Sequence, residues 1–476
     1  MPIKPVKAAL EVLAHDSRLD RPASDTISYL MDLLYYGDFR IFQQVASADG
    51  HDYVNLIGAK GPSEGEKPLW LISSVATGQL PHPNTWQRTG GDPFKPCVDE
   101  EFGQVYGFGA TSGKVDFVCK LLAASTVGAS ELNRPLYVIG LFGEEGCSTG
   151  LTSVLDLSGG EGGYALVSAP TNLNLCHTHP AIVSLRVTLH REVRHRRMPP
   201  VRGMFRLSIP GRSAHARWPG LGTNALDRAL ELLSELNKDG EIRILNLETD
   251  RGASRIPGRC ELTIATTYEH PPSVPADVVV EELDDGASVP FPIDGLVAFW
   301  QRGKRAIESA FDSNKAFGAD TATPSHRFMH FGELSSDRNA LSGTITFWTG
   351  SETAPMEIVS DLTDCFSQAP RKGDQIDVDI EVIQYRPHYN AKGASSPFLS
   401  EVQSVLKDQG LAPYLTESIL TTDAGLLTRE GIETLAFGPG APGSALYRDD
   451  ESVPISHIEA CYQFYVEFIR RFCIKK

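Results

Sequence analysis

Apolar residues in the first third of the chain follow two spacings, and each spacing names an element. Helical spacing covers residues 26–36 and 113–124, while compact apolar runs at residues 69–73, 136–142 and 164–168 read as strands. Turn residues at 158–163 introduce the last of these. Strands alternating with helices in this order imply a mostly parallel sheet covered by helices. After about Ala181 the period becomes two, as in Val183-Ser184-Leu185-Arg186-Val187-Thr188-Leu189. Residues 258–267 and 342–350 also read as strands. One strong helix interrupts this region at residues 224–236, where Leu226, Ala229, Leu230, Leu233 and Leu236 build a single apolar face. Packing on its own sheet is the expected use of that face. From about Pro387 the first texture returns, with a helix near residues 400–409, a strand at 434–437 and a closing helix at 455–472. The pattern predicts an α/β protein whose mostly parallel sheet domain, residues 1–185 and 387–476, is split by an inserted α+β domain, residues 186–386.

Composition narrows the class. A chain of 476 residues, 41% hydrophobic and 22% charged, can bury a substantial core and has the balance of a soluble globular protein. No apolar run reaches the roughly 18 residues needed to span a bilayer. The basic start, Met1 to Lys7, has no continuous apolar segment behind it, so no secretory signal is expected and a cytoplasmic location is. A formal charge of −16 argues against broad nucleic-acid binding, which relies on neutralising phosphates. Arg191, Arg194, Arg196, Arg197 and Arg202 cluster around His195, and a solvated loop between strands accounts for them. The eight cysteines, at 97, 119, 147, 176, 260, 365, 461 and 473, form no C-x-x-C pair and are expected as reduced, mostly buried thiols.

Chemistry enters with Glu144-Glu145, adjacent acids directly after an apolar strand in Leu141-Phe142-Gly143-Glu144-Glu145-Gly146. They belong to an ordered series: Trp86 with Asp92-Pro93-Phe94; Tyr106-Gly107-Phe108-Gly109-Ala110-Thr111 leading to Lys114; the acid pair; and Ala169-Pro170-Thr171-Asn172-Leu173. Further on come Gly211-Arg212-Ser213-Ala214-His215-Ala216, Gly222-Thr223-Asn224-Ala225, Thr422-Asp423-Ala424 and Phe437-Gly438-Pro439-Gly440. In this order, over nearly the whole chain, the series resembles the dinuclear-zinc aminoacylase and carboxypeptidase family that includes acetylornithine deacetylase and succinyl-diaminopimelate desuccinylase. The resemblance implies a catalytic α/β domain and an inserted lid domain, which often also forms a homodimer. It implies two zinc ions sharing a carboxylate and a water, a Glu as general base, and a lid His steadying the oxyanion.

The zinc ligands that the resemblance implies are mostly replaced. The family's His-x-Asp falls on Ser74-Val75-Ala76, the bridging Asp on Ser112, the acid before Pro170-Thr171 on Ala169, and the final His near Leu446 or Tyr447. Of these ligand positions only Glu145 keeps a metal-binding side chain, beside Glu144 at the general-base position. Substitutes lie nearby in sequence: His82, Asp116, Cys176, and His177 with His179, whose spacing could direct both rings to one side of a strand.

Three readings follow. In the first, the chain is a metal-independent enzyme without cofactor, acting on an amino-acid or N-acyl amino-acid derivative. Glu144 and Glu145 supply acid and base, His215 stabilises developing negative charge, and Asn224, Ser112, Gly438 and Gly440 contact the substrate. Two adjacent carboxylates without metal repel, which raises one pKa toward neutrality. In the second, it is a non-catalytic relative that binds an amino-acid-like ligand or a partner protein. In the third, the substitutes rebuild a mononuclear metal site. For Asn224 the plainer role is capping the helix that it precedes. For His215 it is capping a turn, and for Gly438-Pro439-Gly440 it is shaping a tight loop.

Overall fold

The structure is a computed structural model that describes residues 3–18, 23–48, 51–63, 66–78, 86–142, 149–157, 162–191, 201–237, 239–283, 292–313, 317, 327–337, 339–350, 354–368, 375–391, 396–441 and 450–474. It divides into two compact units, 1–181 with 386–476, and 182–385. The first crossing falls where strand β9 begins, at the change of texture in the sequence.

The first unit opens with helices α1 (Pro5–Leu13) and α2 (Ser24–Tyr36), then strands β1 (Arg40–Ala48), β2 (His51–Lys60), β3 (Leu69–Ser74), β4 (Cys97–Asp99) and β5 (Gln104–Tyr106). Helix α3 (Gly113–Ala124), β6 (Leu136–Leu141), α4 (Thr149–Leu157), β7 (Gly163–Ser168) and β8 (Leu175–His179) follow. The second unit supplies β9 (Ala181–Arg191), β10 (Gly203–Pro210), α5 (Ala225–Leu236), β11 (Ile242–Thr249), β12 (Arg259–Thr266) and β13 (Val279–Glu282). It continues with α6 (Asp294–Asp312), β14 (Phe328–Asp337), β15 (Ala340–Thr349), α7 (Pro355–Gln368) and β16 (Ile376–Arg386). The chain then completes the first unit with β17 (Tyr389–Asn390), α8 (Pro397–Asp408), β18 (Leu415–Glu417), α9 (Ala424–Arg429), β19 (Ile432–Phe437), β20 (Ser452–Pro454) and α10 (Ile455–Cys473).

In the first unit the described strands form a main sheet in the order β1-β2-β6-β3-β7-β19-β8-β17, with β18 paired to β8, and a small second sheet in the order β20-β5-β4. The centre, β6-β3-β7-β19, is parallel, and β2 joins it antiparallel. A strand covered on both faces places successive side chains in two different cores, so it reads as a continuous apolar run. Leu69 and Leu71 of β3 pack with Val115, Val118, Phe464 and Phe468 of α3 and α10. Trp70 and Ile72 pack on the opposite face with Leu151, Val154 and Leu427 of α4 and α9.

The second unit is a sheet in the order β13-β10-β12-β11-β14-β15-β9-β16. Here the period-two pattern has its usual meaning: Val183, Leu185, Val187 and Leu189 enter one core. Leu226, Ala229, Leu230 and Leu233 of α5 enter the same core, so that helix uses its apolar face on its own sheet. On the other face of β9 Ser184 is hydrogen-bonded to Thr346 and Gln384, and Thr188 to Ser342. Of the arginine cluster, Arg194, Arg196 and Arg197 lie outside the described residues, while Arg191 donates to the Pro292 carbonyl at 2.8 Å. The described cysteines are free thiols, all buried except the half-buried Cys97. No helix among the described residues is long and apolar enough to cross a membrane.

Helix α3 begins in contact with the end of β3. A Cβ added at Gly113 would lie 2.1 Å from the Ser74 carbonyl oxygen, and backbone cannot step aside. Gly113→Ala should therefore destabilise the chain by about 1–3 kcal/mol, read as a lowered denaturant midpoint; an unchanged midpoint would show that the helix is not pinned there.

Candidate active site

Open α/β sheets bind ligands beyond the carboxyl ends of their parallel strands, and most of the motif residues of the first unit lie there. Register pairs Ser74 with Leu141, Ile72 with Val167, and Phe437 with Ser168. The segments beginning at Val75, Phe142, Ala169 and Gly438 therefore leave the sheet side by side. The 107–112 loop joins them, because an added Cβ at Gly440 (φ +85°) would lie 3.2 Å from Thr111 Cγ2 and 3.6 Å from Pro170 Cβ.

Glu451 fixes that loop from beneath. It is buried; its Oε1 accepts the Thr111 N–H at 2.7 Å and the Thr111 hydroxyl, and its Oε2 accepts the Gly109 N–H at 3.1 Å. Burial pushes its carboxyl up, opposed by these bonds and by Lys114. Lys114 is itself fully buried and donates to the His15 carbonyl at 2.9 Å. Burial pushes its ammonium down to about 8, against the pull of Asp16 and Glu451.

Glu144 and Glu145 lie outside the described residues. The chain on either side of them is tied to one buried amide: the Phe142 N–H donates to Asn55 Oδ1 at 3.4 Å, and Asn55 Nδ2 donates to the Gly150 carbonyl at 2.8 Å. Ser112 caps α3, its Oγ accepting the Lys114 N–H at 3.5 Å and donating to the Gly109 carbonyl at 2.7 Å. Gly438 has no room for a side chain, since a Cβ would meet the Ala169 carbonyl oxygen at 2.6 Å. The Gly440 N–H donates to His457 Nδ1 at 3.3 Å. The motif series passes over His457; its only signal in the sequence is an imidazole three residues into the closing helix.

The residues present do not fit the dinuclear zinc site that the resemblance implies. Ala76 and Ala169 are buried and carry only methyl groups. The Ser112 hydroxyl is a neutral group engaged at both ends of its cap, whereas zinc takes imidazole, thiolate or carboxylate. Leu446 and Tyr447 lie outside the described residues. Among the described residues no group of three or more His, Cys, Asp or Glu could hold a metal ion.

The substitutes are engaged elsewhere. Asp116 lies in the core at 2.6 Å from Lys120 Nζ and accepts from Ser73, Tyr465 and Cys461. His179 Nε2 accepts the Thr422 N–H at 3.3 Å, which puts its proton on Nδ1, 3.0 Å from the Pro180 carbonyl. His177 Nδ1 lies 3.0 Å from the Thr416 carbonyl, and burial keeps Cys176 a thiol by raising its pKa. His82 lies outside the described residues.

The remaining two candidates belong to the second unit. Asn224 caps α5, its Oδ1 accepting the N–H of Leu226 at 2.9 Å and of Asp227 at 3.4 Å. His215 is buried, and its Nδ1 accepts the Arg217 N–H at 3.2 Å, which leaves the proton on Nε2. Burial, with Arg217 and His330 nearby, pushes His215 down to about 3. It is therefore a neutral hydrogen-bond donor. His330, 3.0 Å from the Arg255 carbonyl through Nε2, is pushed down to about 4 by burial.

With the geometry established, the comparisons identify the class. The family model of peptidase family M20/M25/M40 matches residues 79–471, and the chain belongs to that family. The acetylornithine deacetylase of Myxococcus xanthus is 23% identical over 475 residues, covering 97% of this chain and 96% of that one. That of Yersinia pseudotuberculosis is 26% identical over 231 residues, or 48% of this chain, so the match spans about half (53%) of that relative's length. Among solved structures, a di-peptidase of Saccharomyces cerevisiae superposes with a TM-score of 0.59 over 98% of this chain and 96% of its own; at 12% identity the likeness concerns the fold.

Two outcomes test this description. Lys120→Met leaves Asp116 as an unpaired buried charge and should cost about 3–5 kcal/mol, while Lys120→Met with Asp116→Leu recovers most of it; equal denaturant midpoints for the single variant and the parent would refute the buried pair. His215 and His330 have folded pKa values below the ordinary 6.5, so the unfolded chain binds more protons between about pH 6.5 and pH 3–4. Their contribution is intact above pH 6.5 and is lost as pH falls through that window. Melting curves from pH 7.5 to 4 should show a shallower decline for His330→Asn than for the parent.

Proposed function

We propose that this protein is a metal-independent enzyme of the M20 fold, acting on an amino-acid or N-acyl amino-acid derivative, with Glu144 as general acid and base. The observation that carries this reading is the replacement of ligand positions by groups that bind no metal, Ala76, Ala169 and the capping Ser112, in a site that keeps the Glu144-Glu145 pair. Glu144 removes the proton from a nucleophile as its bond to the acyl carbon forms, then returns that proton to the leaving group as the bond to the carbon breaks. Ser112, Gly438 and Gly440 shape the carboxyl edge of the sheet against which the substrate lies. Relatives named acetylornithine deacetylase support N-acyl amino acids as the first substrates to assay.

The same replacement supports a second reading, a non-catalytic binder of amino-acid-like ligands. Assay separates the two. Across a panel of N-acetyl amino acids, including N-acetyl-L-ornithine, with and without amine acceptors, the purified chain should turn over at least one. Glu144→Gln should abolish that turnover while leaving the melting temperature unchanged, and unchanged activity would remove Glu144 from the mechanism. Elemental analysis should find well under one zinc per chain; about two per chain would overturn the proposal.

A further inference from the structure

We infer that His457 is a substrate-contacting hydrogen-bond donor of this site, presenting Nε2–H to the oxygen that gains negative charge on the substrate's acyl carbon. The inference rests on the metal-independent reading above and names a residue of the first unit that the motif series does not include. The geometry fixes its chemical form. Gly440 follows β19 at the carboxyl edge, beside Thr111 and Pro170. Its N–H donates to His457 Nδ1 at 3.3 Å, so Nδ1 carries a lone pair and a neutral ring must hold its proton on Nε2. Gly440 is the hydrogen-bond partner of His457 among the described residues.

A second observation points the same way. His457 is the third residue of α10, in the first turn, where the helix dipole and unpaired N–H groups disfavour a cation. Burial acts in the same direction and pushes its pKa down. The group is therefore held as a neutral donor at physiological pH, not as a base: Nδ1 is occupied and Nε2 already carries its proton. A neutral donor fixed in place by backbone is the kind of group that stabilises an oxyanion without reorganising during the reaction. It offsets part of the loss of Lewis-acid polarisation that follows from Ala76, Ser112 and Ala169. Proton transfer is left to Glu144.

The test uses the full chain, labelled with ¹⁵N-histidine. Two-bond ¹H–¹⁵N correlation at pH 7 should assign His457 as the neutral Nε2–H tautomer; an Nδ1–H tautomer or an imidazolium overturns the inference. On a substrate from the panel, His457→Leu should lower kcat on the order of 100-fold with KM changed less than about twofold, and His457→Gln, which keeps a side-chain N–H donor, should recover part of the loss. Melting temperatures of both variants establish folding. If Glu144→Gln abolishes turnover and His457→Leu does not lower kcat, the inference fails and the enzymatic reading stands. If the parent turns over nothing in the panel, the enzymatic reading fails. N-acetyl-L-ornithine is then titrated into the labelled chain: a saturable shift of the His457 Nε2–H resonance supports the contact, and no shift overturns it.

Discussion

A lysine and an aspartate without access to water organise the first unit from within. Lys120 Nζ lies 2.6 Å from Asp116 and donates to the Ile72 carbonyl at 2.7 Å and to Ser73 Oγ at 3.1 Å. Asp116 in turn accepts from the Tyr465 hydroxyl at 2.8 Å and from the Cys461 thiol at 3.3 Å. A buried charge is tolerable only when it is paired and its remaining hydrogen-bonding capacity is filled. One arrangement of α3, β3 and α10 fills it, and that arrangement places the N-terminus of α3 against Ser74.

The carboxyl edge inherits this order. Because α3 starts where it does, Ser112 can cap it and Glu451 can collect the amides of Gly109 and Thr111. The loop is thereby shaped by a carboxylate, a buried lysine and backbone amides, and none of these interactions requires an ion at its centre. Groups held by backbone keep their protonation state, and His457 is an example: the same hydrogen bond that positions its ring also selects its tautomer.

Much of this was legible from spacing. The helix at 113–124 and the apolar face of α5 follow directly from periodicity, since a helix or strand that must bury one side repeats at its own period. The two faces of β9 were equally plain. The order of motifs points to the family, and a match over residues 79–471 agrees. The individual chemical roles were less legible. Asp116 sits four residues beyond Ser112 and reads in sequence as a displaced ligand, but one helical turn carries it into the core beside Lys120. His177 and His179 share a spacing suited to a metal, yet their ring nitrogens face the carbonyls of Thr416 and Pro180. Spacing gives direction along an element, and partners come from elements far away in the chain.

The sequence by itself determined the class of fold, the insertion that divides the chain, and the absence of imidazole, thiolate or carboxylate at Ala76, Ser112 and Ala169, because each depends only on periodicity or on which atoms a residue carries. Tertiary structure alone decided that Asn55 ties the chain on both sides of Glu144-Glu145, that Glu451 clamps the 109–111 loop, and that Gly440 meets His457. Those contacts join residues 17 to more than 300 positions apart. No local pattern encodes them, because a hydrogen bond is set by proximity in the folded chain and by the need to pair each polar group that folding removes from water.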